Sequence, residues 1–170
     1  MWKGKLGMIY PSSLMFTQGE VTKYVREYST SMAPADVYRV TGGWPGCVAM
    51  IMNMASQLQN DDSTDRLSVH KIFERYEFQA YIQNELLSGL TEQEQKVLNL
   101  AACCPWVNEE NCKAIWGVES PKDTLVELER KGFLVYNEIK EHWKASPVIE
   151  TTTKYSEKAR LDNAMAVKLG

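Results

Sequence analysis

Histidine and cysteine are the side chains best suited to chemistry, and their placement here argues against it. Cys47, Cys103, Cys104 and Cys112 fit no zinc-ligand spacing. They read as reduced and mostly buried thiols of a cytoplasmic protein. His70 falls beside an apolar helical stripe and reads as a packed ring. No motif supports a Ser-His-Asp or Cys-His pairing. There is no G-x-x-x-x-G-K-[ST] loop to cradle phosphates. The sequence therefore names no catalytic residue, and the chain reads as a non-enzyme without a metal. One turn remains. In Val40-Thr41-Gly42-Gly43-Trp44-Pro45-Gly46, glycine lets the backbone approach a neighbour closely and proline offers a flat apolar ring without an N–H. Such a turn can pack on a flat apolar ligand. It can equally be a helix-to-helix turn in which Trp44 plugs the core.

The elements around this turn are predicted to be mainly α, with a helical lid, then a winged helix-turn-helix carrying a small β-hairpin. Residues 1–16 form an arm or strand. Thr17 and Glu20 make a capping-box pattern, followed by Val21, Tyr24, Val25 and Tyr28 at helical spacing. Ser31 is placed to cap a short second helix with Pro34 in its first turn, stopped by Gly42 and Gly43. Pro45 opens a third helix that is apolar on nearly every side, with Val48, Ile51, Met52, Ala55 and Leu58 on one stripe and Cys47, Met50 and Met54 opposite. The lid spans 17–58 and a polar linker 59–66. A connecting helix covers 67–90, its apolar stripe drifting from Val69, Ile72, Phe73 and Tyr76 to Phe78, Ile82 and Leu86. The winged helix covers 91–149: a capping box at Thr91 and Glu94, a helix capped by Asn108 and closed by Gly117, and a third opening at Ser120-Pro121 and stopped by Gly132. A strand at Phe133–Tyr136, a turn, and a return at His142–Ala145 complete it. Residues 150–170 are a tail, loose or ending in one more helix.

Bulk properties narrow the partners. The 170 residues, 44% of them hydrophobic, suffice for one ordinary core or two small ones. The net charge is −3, and residues 91–149 carry 7 basic against 10 acidic groups. Phosphate contacts supply most of the affinity of DNA-binding modules, so an acidic winged helix is expected to contact protein rather than DNA. Its candidate recognition helix, Pro121–Lys131, offers three acids and three bases. No apolar run approaches membrane-spanning length and nothing at Met1 resembles a signal peptide.

Three stretches together resemble the MalT-like branch of the large LuxR-type transcriptional regulators, members of the STAND class of signalling ATPases. Leu14-Met15-Phe16-Thr17-Gln18-Gly19-Glu20 is similar to the family's L-x-F-T-x-x-E opening of the lid. Val40–Gly46 is similar to its T-x-G-W-P-A-G turn, and Leu125–Val135 to the end of its winged helix. Order and spacing agree over residues 6–150, and the Gly-Trp-Pro turn is the most specific of the three.

The resemblance implies a lid and winged helix that close over ATP or ADP held by an upstream nucleotide-binding domain, with helical repeats downstream and DNA bound only through a separate domain. Those parts are absent from this sequence, so the chain is expected to be a regulatory fragment that holds no cofactor by itself. In the intact regulator, the resemblance assigns Gly43, Trp44 and Pro45 to the adenine side. Ser146 stands where the family carries a phosphate-facing histidine, and His142 lies four residues too early to be that residue. With the upstream domain missing, the turn, Met50 and Met54 are expected to form an exposed apolar patch that supports a homodimer. A free-standing winged-helix DNA-binding protein and a protein–protein adaptor are the alternatives.

Overall fold

The computed structural model describes residues 9–28, 30–58, 68–116 and 120–155. Residues 1–8 of the arm, the 59–66 linker, Gly117 and most of the tail lie outside the described residues. The chain is mainly helical with a small two-stranded antiparallel sheet, as predicted.

A 3-10 turn, Pro11–Leu14, leads into α1, Gln18–Arg26. The expected capping box starts α1: Thr17 Oγ1 accepts the Glu20 N–H at 3.3 Å, and the Glu20 carboxylate accepts the Thr17 N–H at 2.8 Å. Helix α2, Pro34–Thr41, packs on α1, and Val21, Val25, Val37 and Val40 bury their shared face. Its cap is Ala33 without a side-chain bond, not Ser31, because Pro34 needs no N–H partner in the first turn. Gly42, at φ 61°, ends it. Helix α3, Pro45–Leu58, follows at once.

The single connecting helix is interrupted. Helix α4 is Val69–Phe73 and α5 is Tyr76–Tyr81, which continues into a π-helical segment, Ile82–Leu87. The break at Arg75, whose ψ is 139°, explains the drifting stripe. In one straight helix, side chains five positions apart point about 140° away from each other. Breaking the helix turns both Phe73 and Phe78 into the core, with ring centroids 4.4 Å apart. Gln79 Nε2 donates to the Phe73 carbonyl at 2.5 Å, replacing a lost backbone partner. Tyr76, expected on the apolar stripe, is exposed instead.

The winged helix follows the predicted order. Helix α6 is Glu92–Cys103, α7 Glu109–Trp116 and α8 Pro121–Arg130. Thr91 and Glu94 form the second capping box. Asn108 and Asn111 cap each other reciprocally at 2.9 and 2.8 Å. Strands β1, Leu134–Asn137, and β2, His142–Ala145, pair antiparallel with Tyr136 opposite Trp143. Val107 exchanges both backbone hydrogen bonds with Trp143, at 2.8 and 2.9 Å, lending β2 a partner on its other edge. The end of α8 is tied back to α6 by the Lys131–Glu94 ion pair and to β2 by Trp143 Nε1 donating to Glu129 at 2.9 Å.

Helix α9, Pro147–Tyr155, runs through the boundary placed at residue 149. It packs on α2 and α4 of the lid side and on α6 of the winged helix. Val148 and Ile149 enter a core that is continuous from Val21 to Ile149. No described helix is long and apolar enough to cross a membrane.

Candidate functional site

The Gly42–Gly46 turn sits where α2, α3, the arm, the winged helix and α9 meet. Two left-handed glycines make the reversal, Gly42 at φ 61° and Gly43 at φ 81°. The Gly43 N–H donates to Thr41 Oγ1 at 3.2 Å, and Thr41 Oγ1 donates to the Val37 carbonyl at 2.8 Å, anchoring the turn to α2. The Gly43 carbonyl accepts the Phe16 N–H at 2.8 Å. A Cβ on Gly43 would collide with the Phe16 carbonyl oxygen. The arm therefore crosses the turn at contact distance, which only glycine permits.

Trp44 is half-buried and lies flat on Phe133 of the winged helix, with centroids 5.3 Å apart and planes 10° apart. The preceding residue, Gly132, also touches this corner: a Cβ there would lie 2.6 Å from Met15 Cε and 3.3 Å from Trp44 Cζ3. Pro45, half-buried, starts α3, and α3 has no acidic residue in its first turn. Tyr81 reaches this end of α3, since a Cβ on Gly46 would collide with its hydroxyl. Burial, the adjacent Cys47 thiol and Glu85 hold the Tyr81 phenol above its ordinary pKa. Burial alone pushes the Cys47 thiol up to about 12, so it stays protonated and inert at neutral pH.

Ser146 lies between β2 and α9 and comes to the same corner. A Cβ on Gly42 would sit 3.0 Å from Pro147 Cδ, so the lid turn and the Ser146-Pro147 turn touch. Ser146 donates its N–H to the Phe133 carbonyl at 2.8 Å, and its own carbonyl accepts the Glu150 N–H at 2.9 Å. Its hydroxyl is buried and makes no hydrogen bond. The structure thus gathers Gly43, Trp44, Pro45 and Ser146 into one region through Gly42, Phe133 and Pro147.

His142 is elsewhere, at the far end of β2, where its ring stacks on Trp106 at 5.7 Å and its Nε2 makes no hydrogen bond. Its placement agrees with setting it apart from Ser146. Among the described residues, no group of His, Cys, Asp and Glu could hold a metal ion.

The expected exposed apolar patch is found only in part. Met54 is buried, and Trp44 and Met50 are half-buried. Helix α3 is covered by this chain's own α2 and α4, with Tyr81 over its start, and Phe133 supplies the surface for Trp44. The sequence reading missed Phe133, Tyr81 and the arm residues Met15 and Phe16 as parts of this site. Each is an apolar or aromatic residue whose role depends on a partner distant in sequence, and no local spacing carries that information. Compared with known proteins, the chain matches no protein-family model and no curated protein.

Proposed function

We propose that this chain is the lid and winged-helix section of a LuxR-type STAND transcriptional regulator. It acts by closing over a nucleotide held by an upstream P-loop domain, not by chemistry of its own. The observation that carries the reading is the contact of the Gly42–Pro45 turn with Ser146-Pro147. The two stretches that the resemblance assigns to the nucleotide lie far apart in sequence, yet they meet where Gly42, at the end of α2, touches Pro147, at the start of α9. Helix starts present free N–H groups and a partial positive charge, which suits a phosphate. Pro45 offers an apolar surface to a purine, and the Ser146 hydroxyl beneath the turn is a neutral donor that is buried without a hydrogen-bond partner. The acidic winged helix serves as the second jaw of this closure, and DNA is read by another domain of the regulator.

Ser146 gives the test. With this chain joined to the P-loop domain of such a regulator, Ser146→His is expected to tighten ADP binding by about fourfold, because a charged donor to phosphate contributes on the order of 1.5 kcal/mol over no bond and the serine donor already supplies about 0.7 kcal/mol of it. Ser146→Ala is expected to weaken it by about threefold. Titration calorimetry that finds ADP affinity unchanged in both variants removes Ser146 from the phosphate side and with it the observation on which the reading stands.

A further inference from the structure

The lid turn is anchored to α2 through Thr41, and a second support comes from the other module. Trp44 rests on Phe133, which begins the wing, in a parallel stack 5.3 Å between centroids. Phe133 is itself fixed from both sides: its N–H donates to the Leu128 carbonyl at 2.9 Å and its carbonyl accepts the Ser146 N–H at 2.8 Å. The ring is buried. Above the stack, the arm closes the corner. Met15 lies against Gly132, and Phe16 bonds the Gly43 carbonyl. Tyr10 lies under Arg130, 5.3 Å from the ring centroid to the guanidinium carbon.

We propose that Phe133 is a positioning residue for the lid turn. Its ring, carried by the winged helix, holds Trp44 and through it the Gly43–Pro45 backbone. The turn then takes its ligand-facing shape only while the winged helix is docked on the lid. This rests on the reading of Pro45 as a nucleotide contact, and it adds how that contact is regulated. Anything that lifts the winged helix removes the surface beneath Trp44 and loosens the turn. By the reciprocity of linked equilibria, a ligand that orders the turn strengthens the docking. Flat aromatic pairs suit this role because offset rings fix both distance and tilt, which an aliphatic contact of similar area does not.

The Phe16 amide reports on the Gly43 carbonyl directly, so native-state hydrogen exchange by NMR on the whole chain tests the proposal without any nucleotide. Phe133→Leu keeps an apolar side chain and removes the ring. It is expected to lower protection at Phe16 about tenfold more than at Ile51 in α3 and Val97 in α6. Trp44→Leu removes the same stack from its half-buried side and should give the same selective loss if Phe133→Leu does not fold. Trp44→Phe keeps a ring and should hold Phe16 protection within about twofold of the parent. A uniform fall at Phe16, Ile51 and Val97 would make Phe133 a packing residue only and overturn the proposal, as would unchanged Phe16 protection. Either result leaves the nucleotide reading of Pro45 standing. An unchanged ADP affinity in the Ser146 variants would leave the Trp44–Phe133 coupling standing.

Discussion

A methyl group at Gly43 would meet two obstacles at once. The backbone is left-handed at φ 81°, and the Phe16 carbonyl oxygen occupies the space a Cβ needs. Gly43→Ala is therefore expected to cost about 2 kcal/mol or more, read as a lower urea midpoint with an unchanged slope. A loss under about 0.5 kcal/mol would mean that the arm does not cross the turn. Glu94 is the second informative residue. Burial disfavours its charge, but the Lys131 ammonium and the Thr91 N–H and hydroxyl outweigh this and hold its carboxyl below the ordinary 4.5. A lowered carboxyl pKa stabilises the fold above the unfolded-state value, and that stability is lost as pH falls through the folded value. Glu94→Gln keeps the capping geometry and removes the charge. It is expected to cost about 1–2 kcal/mol at neutral pH, after allowing for the partial exposure of Lys131. The difference from the parent should shrink as pH is taken below 4.5. A pH-independent difference would assign the loss to packing. At this scale the sequence showed that Gly43 and Pro45 were special, since glycine and proline have few other uses in such a turn. It could not show that Trp44 would find Phe133, because an indole packs on many surfaces and only the fold selects one.

Among the elements, the capping boxes at Thr17 and Thr91 and the proline and glycine boundaries around α2, α3 and α8 were legible, because each is a bond or a steric limit within a few residues. The hairpin was placed within one residue for the same reason. The split of the connecting helix was not legible. Its stripe drifted, and a drifting stripe fits a continuous helix touching two bodies as well as two helices with a break. The Phe73–Phe78 contact and the Gln79 bond to Phe73 decide between them, and both are products of packing. Helix α9 was missed as an element because Pro147–Tyr155 carries three threonines and few large apolar residues, so its periodicity is faint. Its burial, not its propensity, makes it a helix: Val148 and Ile149 are in the core, and Thr152 and Thr153 donate back to the carbonyls four residues earlier at 2.7 and 2.9 Å. Because α9 touches both modules, Val148→Ala is expected to cost about 2 kcal/mol and to lower the lid and the winged helix together. Urea curves followed by far-UV circular dichroism and by tryptophan fluorescence should stay coincident in this variant. Curves that separate would show that α9 belongs to one module alone.

Taken whole, the molecule joins two modules by a continuous core, by the Trp44–Phe133 stack, by the arm and by α9. A DNA reader would need a freely presented basic helix, and α8 offers little of one. Its first turn exposes Lys122 beside Asp123, and its end lies against the Pro11–Leu14 turn with Arg130 over Tyr10. The proposed role rests on a nucleotide, and the most direct measurement is the ADP affinity of a LuxR-type P-loop domain with and without this chain joined after it, by titration calorimetry. ADP should bind more tightly when the chain is present. Pro45→Ala should lose about 1 kcal/mol, roughly fivefold, the amount set by uncovering one face of a purine. Equal ADP affinity with and without the chain would mean that the chain does not close over the nucleotide.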